Sequence, residues 1–418
     1  MHSFKPVSKY SIGMGDRFAH QGKAQLQAVA TARQLGIEVT PVWNKSNREH
    51  TLIGTEPASV LAEAEAAAAA LGWQGGFYID ADHINLGTVD RFIAPSNFFT
   101  IDVADYTGKP ATPESTVAFI ASHQRLVGSI AIPGIGAPLQ ITEELMRATA
   151  ATFLWPMQEA GRIYRHIAAK KDPGSFIAEV SVDETDLPQT PAELLLILAM
   201  IAAEGIPAQT IAPKSTGRFN KGVDYVGDLA QFEKEFEEDL CVIAYAVRHF
   251  GLPAGLKLSV HSGSDKFSLY PIINRLIKKH DAGLHIKTAG TTWLEELIGL
   301  AESGGDGLAI AREVYAKALP RADELIKPYA PVVDIDRARL PAIAEVNAWT
   351  PRQYADALRH DQSCPSYNLH FRQFLHVSFK VAAELGARYT DALKTNDAVI
   401  ARNVTANLLD RHLKPALG

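Results

Sequence analysis

The sequence predicts a (β/α)8 barrel with a helical C-terminal extension, and three features of the chain lead to this fold class. Strand-like apolar runs alternate with helix-like runs over residues 10–287, as in parallel βα units. The strand-like runs number eight, the count in a closed barrel. Charged or polar residues follow most of these runs. In a barrel such strand ends meet at one face, whereas an open doubly wound sheet, the alternative, would spread them along an edge.

The individual elements follow from the spacing of apolar residues along the chain. Strands are predicted over residues 10–15, 37–43, 75–83, 98–103, 176–183, 208–212, 256–260 and 284–287. Helices are predicted between them over 21–35, 58–71, 191–204 and 232–250. A helical insertion is predicted near 110–172, between the fourth and fifth strands, with helices over 114–126 and 143–170.

The last part of the chain has a helical pattern throughout. Residues 1–291 are therefore predicted to form a catalytic barrel, and residues 292–418 a helical extension packed on it. One helix is predicted over 371–385, where Arg372, His376 and Lys380 are four residues apart and would share a face. This face is either a solvated basic stripe or a lid that presents a cation to an anionic substrate.

The composition is that of a globular protein and excludes several classes of partner. The 418 residues are 47% apolar and 21% charged, with a formal net charge of -6 and no block of like charge. Neither nucleic acid nor an anionic membrane is an expected partner. The N-terminus lacks the apolar run of a signal peptide, and no window of about 20 residues is apolar enough to span a bilayer, so a cytoplasmic protein is expected.

Side chains that commonly bind metals lie on or just after four predicted strands. His83, His261 and His285 provide imidazoles and Glu179 provides a carboxylate. Both groups are good ligands for divalent first-row metals. No two of these residues form a compact ligand motif, so only the fold can bring them together. Structural histidines with satisfied hydrogen bonds are the alternative interpretation.

Carboxylates on two strands are candidates for acid/base chemistry. Strand alternation places Asp80 and Asp82 on one face, and Asp82 is expected to be a ligand or a general base beside the metal. Glu179 and Asp183 also share a face and form an acid/base pair, unless they belong to a polar layer inside the barrel. Lys287 is a candidate to bind a carboxylate or, if desolvated, to form a Schiff base, and the first role is favoured.

Several residues near strand ends are predicted to contact the substrate. After His261, small residues would let a substrate approach the backbone, and a lysine adds a cation. A substrate carboxylate would need a further cation from the strand ends or from the C-terminal helices. The predicted substrate contacts are Asp16, Arg17, Lys214, Ser262, Ser264, Lys266, Lys287 and Arg372.

Separated motifs along nearly the whole chain resemble those of the D-tagaturonate/D-fructuronate epimerases of bacterial hexuronate catabolism. They are residues 14–18 (MGDRF), 80–83 (DADH), 260–266 (VHSGSDK), 285–293 (HIKTAGTTW) and 364–370 (CPSYNLH). A looser similarity links Asp82-His83 and the loop after His261 to the class II, zinc-dependent sugar aldolases. Those barrel enzymes have a further histidine at the end of the sixth strand. This chain has Ala-Pro-Lys there, which leaves the third ligand to Glu179 or His285.

The two resemblances imply a metal-dependent epimerase that acts on a small sugar acid through retro-aldol and aldol steps. The inverted carbinol carbon is not adjacent to the ketone, so enolisation cannot invert it. The implied cofactor is a divalent cation, Zn, Mn, Ni or Co, held by His83, Glu179 and His261, with His285 as a fourth candidate. The implied base is Asp82. A class II aldolase-like lyase and a non-catalytic barrel that binds sugar acids are the alternative functions.

Overall fold

The structure is a computed structural model that describes residues 7–183, 185, 187–262, 265–288 and 290–418. Eight parallel strands close into a barrel, in the order β1-β8-β7-β6-β5-β4-β3-β2 around the ring. The predicted fold class is thus confirmed, and the open sheet is excluded. The barrel strands are β1 (Tyr10–Met14), β2 (Thr40–Ser46), β3 (Tyr78–Ile84), β4 (Phe98–Asp102), β5 (Ile177–Ser181), β6 (Thr210–Ala212), β7 (Lys257–His261) and β8 (Leu284–Lys287).

The helices of the first 302 residues lie between and after these strands. The segment between β4 and β5 is long and contains the two predicted helices together with a short antiparallel hairpin, Gly128–Ile130 with Leu139–Ile141, that was not predicted. The α-helices of this part are Gly22–Gln34, Asn47–Ile53, Ala58–Leu71, Pro113–Ser122, Glu143–Ala168, Pro191–Ala203, Leu229–Phe250, Tyr270–Lys279 and Thr291–Glu302, with 3-10 turns at Val89–Arg91, Ala104–Tyr106 and Gln124–Leu126.

The remaining helices pack against the barrel. Asp397–Ala406 contacts Gly22–Gln34 and Thr291–Glu302, and the last turn contacts Tyr270–Lys279. The α-helices of this part are Gly305–Ala318, Ala322–Ile326, Ile343–Ala348, Pro351–Leu358, Leu369–His376, Phe379–Glu384, Ala387–Thr395, Asp397–Ala406 and Lys414–Leu417, with 3-10 turns at Leu319–Arg321, Lys327–Val332 and Arg337–Arg339 and a π-helical stretch at Asn407–Leu413. Among the described residues, no helix is long and apolar enough to cross a membrane.

The helix predicted over 371–385 is two helices, Leu369–His376 and Phe379–Glu384. At the break, the Ser378 hydroxyl donates a hydrogen bond to the Phe374 carbonyl oxygen at 2.7 Å. Arg372 and His376 are buried, and only Lys380 reaches the surface, where it pairs with Glu324. The solvated basic stripe is therefore wrong, because apolar packing around the first helix places its basic side chains inside the protein.

The interior of the barrel is apolar near the amino ends of its strands and polar towards their carboxyl ends. Val42, Tyr78, Phe98 and Ile177 form a small apolar cluster inside the barrel. Two residues further along three of these strands, the inward positions are occupied by Asp80, Thr100 and Glu179, all buried. The strand alternation that buries an apolar layer below therefore aims polar side chains at the mouth of the barrel.

Candidate active site

His83 lies at a bulge in β3. The register between β3 and β4 shifts between Ala81 and Ile84, and His83 has a φ of 52°. This left-handed conformation is unusual for a residue other than glycine and costs about 1–3 kcal/mol. Because a bulge adds one residue to the strand, two consecutive side chains, Asp82 and His83, can both face the barrel mouth. Simple alternation would have separated them.

His83, Asp183 and His261 form a candidate metal centre. One ligand atom from each residue lies within 4.8 Å of the others. The His83 and His261 rings are 5.3 Å apart between centroids, and His83 Nδ1 lies 3.3 Å from Asp102 Oδ2. The side chains of His83 and Asp183 are 24% and 21% exposed, so the group opens towards solvent. Two imidazoles and a carboxylate with open positions suit a divalent first-row metal.

Glu179 connects this group to Lys287. His261 places Nε2 2.8 Å from Glu179 Oε1 and Nδ1 3.1 Å from Asp183 Oδ2. The ammonium nitrogen of Lys287 lies 3.0 Å from the same Glu179 oxygen, 2.8 Å from Asp80 Oδ2 and 2.9 Å from Asp82 Oδ1. Burial alone would lower the pKa of Lys287, but the three carboxylates outweigh it and raise the pKa well above its usual value. A Schiff base needs the neutral amine, so this environment favours the role of Lys287 as a cation.

The same carboxylates differ in their protonation behaviour. Burial raises the pKa of Asp80 to about 6, although Lys287 opposes the change. Burial also acts to raise the pKa of Asp82, but the charges of Lys287 and His83 outweigh it and hold the pKa below its usual range. Asp82 is therefore ionised at neutral pH.

The charge balance of the site fits a bound cation. Both nitrogens of His261 face carboxylates, an arrangement that requires N–H on each, and its pKa is raised to about 9 because Asp183 and Glu179 outweigh the effect of burial. Glu179 Oε2 is buried and has no donor among the described residues. Among the described residues, five carboxylates, Asp80, Asp82, Asp102, Glu179 and Asp183, face three basic side chains, Lys287, His83 and His261, and so outnumber them. A divalent cation would neutralise that surplus.

His285, the fourth predicted ligand, lies apart from this group. It pairs in register with Ser259, two residues before His261, so its ring lies one layer deeper in the barrel. Its Nδ1 is 2.8 Å from Ser11 Oγ, and its ring packs beside Phe98. Burial lowers the pKa of His285 to about 3, so it is neutral at physiological pH. The candidate metal group contains Asp183 and does not contain His285.

Asp16 and Arg17 lie where β1 ends. The Asp16 carboxylate accepts backbone N–H bonds from residues 18–21, which fixes the loop leading into Gly22–Gln34. Arg17 pairs with Glu49, and its guanidinium lies 4.6 Å from the centroid of the Phe379 ring. Arg17 Nε is buried and has no acceptor among the described residues. Asp16 thus has a structural task, whereas Arg17 retains an unused donor.

The remaining predicted substrate contacts lie mostly inside the protein. The Ser262 hydroxyl donates to the Lys287 carbonyl oxygen at 2.6 Å, and Lys214 Nζ donates to the Thr185 carbonyl oxygen. Lys266 and Arg372 are completely buried. The first binds backbone carbonyls of the loop after β6, and the second pairs with Asp265. These two cations therefore hold the structure together and are not placed to meet a substrate. Ser264 lies outside the described residues.

Two contributors to the site were not among the predicted catalytic, substrate-binding or metal residues, although Asp102 is one of the charged residues that follow the predicted strands. Asp102 faces His83, and the Thr100 hydroxyl donates to Asp80 Oδ1 at 2.9 Å and receives a hydrogen bond from Lys287. Both lie on β4, two residues apart, so they share a face of the strand, as Asp80 and Asp82 do on the neighbouring β3. This matching pattern on adjacent strands could have indicated both residues from the sequence.

A closed (β/α)8 barrel with imidazoles and carboxylates gathered at the carboxyl ends of its strands defines a barrel enzyme with a candidate metal centre. The sequence profile of tagaturonate epimerase matches residues 3–414, and the chain therefore belongs to the tagaturonate epimerase family. It is an isomerase, an epimerase of hexuronate metabolism, as the resemblance of its motifs implied.

Two relatives illustrate the match. The tagaturonate/fructuronate epimerase of Thermotoga maritima is 28% identical over 429 residues, which cover 98% of this chain and 82% of the relative. The crystal structure of fructuronate-tagaturonate epimerase from Cohnella laeviribosi with two glycerol molecules superposes with a TM-score of 0.81 at 22% identity, covering 99% of this chain and 82% of that one. Its native crystal structure gives a TM-score of 0.78.

Proposed function

We propose that the protein interconverts D-tagaturonate and D-fructuronate with a divalent cation, by a retro-aldol cleavage followed by aldol addition. Membership in the family supports the substrate pair. The observation that carries the chemistry is the placement of His83, Asp183 and His261 beside an ionised Asp82 at one barrel mouth.

The cation would be held by His83, Asp183 and His261. Imidazole and carboxylate ligands suit Zn, Mn, Ni or Co. When bound, the cation supplies Lewis-acid polarisation of the substrate ketone. His285 is left out of this set because its ring lies a layer below.

Asp82 is the proposed base for the bond-breaking step. It takes the proton of the hydroxyl on the carbon to be inverted, and the carbon–carbon bond between that carbon and the carbon α to the ketone breaks. The bonding electrons pass to an enediolate, and the other fragment becomes an aldehyde. After the aldehyde turns, the same bond forms on its other face, and the proton returns to the new alkoxide. Lys287 Nζ lies 2.9 Å from Asp82 Oδ1 and positions this carboxylate. Glu179, which borders the His83/Asp183/His261 group, supplies the acid/base group on the other face.

The test of this route follows the hydrogen on the inverted carbon. In deuterated water, NMR of the product should show no deuterium there, because a retro-aldol step leaves that C–H bond intact. Incorporated solvent deuterium at this carbon contradicts the mechanism. Accumulation of free three-carbon fragments would identify the lyase alternative, and unchanged hexuronate after long incubation with metal-loaded protein would identify a binding protein.

Arg17 is the cation that best fits the substrate carboxylate. Lys266, Lys287 and Arg372 are occupied by internal partners. Arg17 also pairs with Glu49, but its Nε is a buried donor without an acceptor among the described residues. Burial lowers the pKa of Arg17, while Tyr329 and Asp82 act in the opposite direction. Arginine also pairs with carboxylates through two parallel hydrogen bonds.

We expect Arg17→Gln to raise KM for the hexuronate about 10- to 100-fold with a smaller change in kcat, because a carboxylate contact stabilises ground and transition states alike. A neutral ketohexose, if it is turned over, should show no such change. Steady-state kinetics on both sugars is the measurement. Lys214→Met is the matched control, since its side chain is half-buried at the end of β6. A KM effect in this control variant, with Arg17→Gln unaffected, would move the carboxylate site to Lys214.

A further inference from the structure

The carboxylate of Asp265 is buried and contacts side chains from several elements of the fold. Its Oδ2 accepts hydrogen bonds from Arg372 Nη2 at 2.6 Å and His360 Nδ1 at 3.1 Å. Its Oδ1 accepts one from Thr291 Oγ1 at 3.1 Å and lies 3.3 Å from His412 Nε2. The side chains of Asp265 and Arg372 are fully buried. Three of these partners, His360, Arg372 and His412, come from the C-terminal helical part of the chain.

The partners of this carboxylate extend to the loop that follows β6. Arg372 also donates to the carbonyl oxygens of Leu358, at 2.8 Å, and Gly222. Lys266, the neighbour of Asp265, donates to the carbonyl oxygens of Asn220 at 3.0 Å and Val223 at 2.8 Å. The C-terminal helices and the loops after β6 and β7 are therefore connected through charged side chains that have no access to solvent.

Two residues of the candidate active site, His261 and Lys287, are close in sequence to Asp265 and its partner Thr291. Asp265 follows His261 by four residues, and Thr291 follows Lys287 by four. Ser262 adds a direct link, because its hydroxyl donates to the Lys287 carbonyl oxygen at 2.6 Å. The Asp265 carboxylate thus connects the end of β7, which carries His261, to the end of β8, which carries Lys287.

We propose that the Asp265–Arg372 pair is a positioning element of the active site, through which the C-terminal helices hold His261 and Lys287 in place. The inference rests on the proposed function in one respect, that His261 binds the cation. A buried ion pair contributes little net stability compared with an apolar pair of the same shape. Its directional hydrogen bonds do fix the relative positions of the elements that they join. Metal ligands and catalytic groups depend on such fixation by the residues behind them.

The test compares Asp265→Asn with Glu302→Gln. Glu302 is a matched control because it also joins several C-terminal side chains, Arg359 at 2.6 Å, Arg402 at 2.8 Å and Asn403 at 2.8 Å. Both variants should lose thermal stability. We expect only Asp265→Asn to lose Mn²⁺ affinity, about ten-fold or more by calorimetric titration, with a parallel loss in kcat/KM at saturating metal.

Thr291→Val serves as a milder variant if Asp265→Asn does not fold, because it removes only the bond from the start of the helix Thr291–Glu302. It should lower Mn²⁺ affinity or kcat/KM in the same direction by a smaller factor. Wild-type Mn²⁺ affinity and kcat/KM in a folded Asp265→Asn or Thr291→Val protein would overturn the inference. So would equal losses in Glu302→Gln. Failure of the proposed function is distinguishable, because the wild-type protein itself would then show no Mn²⁺ binding.

Discussion

His261→Ala should contain no stoichiometric metal after purification and should lose about 10³-fold or more in kcat/KM. The imidazole lies between Glu179 at 2.8 Å and Asp183 at 3.1 Å, and it belongs to the group whose ligand atoms lie within 4.8 Å of one another. Lewis-acid stabilisation by a metal contributes several kcal/mol to a transition state, and about 4 kcal/mol corresponds to this factor. A chelator should abolish wild-type activity, and Mn²⁺, Zn²⁺, Ni²⁺ or Co²⁺ should restore it.

The measurement is elemental analysis of the dialysed protein together with activity during metal add-back. His285→Gln is the matched control, because that histidine lies on the neighbouring strand but one layer deeper. It should keep the wild-type metal content, even if its lost contact with Ser11 lowers stability. Full activity of His261→Ala in the absence of metal would refute the proposed metal centre.

Asp82→Asn should lower kcat about 10²- to 10⁴-fold while leaving metal content and KM nearly unchanged. The substitution keeps the shape of the side chain and removes the proton acceptor, whose contribution to catalysis is of this order. Asp82 lies outside the His/Asp/His group, so the metal should stay bound. Steady-state kinetics combined with metal analysis separates loss of the base from loss of the cation.

Asp80→Asn is the control that makes this experiment specific. Asp80 contacts the same ammonium group, 2.8 Å from Lys287 Nζ, but its side chain is fully buried, whereas that of Asp82 is 12% exposed. If the loss in Asp82→Asn came only from altered charge around Lys287, both variants would be affected alike. A clearly smaller loss in Asp80→Asn supports Asp82 as the base, and equal losses would argue against it.

Much of the barrel was predictable because its signals are local. Apolar runs with period-two alternation located all eight strands to within three residues at each end. The short hairpin between β4 and β5 was not found, since strands of three residues carry too little pattern. The break between Leu369–His376 and Phe379–Glu384 was also missed, because no proline or glycine marks it in the sequence.

The sequence by itself predicted the eight strands, the family resemblance and the shared faces of Asp80 with Asp82 and of Glu179 with Asp183, because strand alternation is a property of each strand alone. Closure of the barrel and the inward direction of these faces came from the tertiary structure. Only the tertiary structure decided which of these side chains meet. The bulge at His83 and the register of β7 with β8 placed His83 beside His261 and left His285 a layer below. The sequence also did not predict that Arg372 is buried against Asp265. The depth of a side chain in the barrel depends on how neighbouring strands are staggered. Contacts between residues more than a hundred positions apart depend on how the helices dock. The spacing of residues within one segment contains neither kind of information.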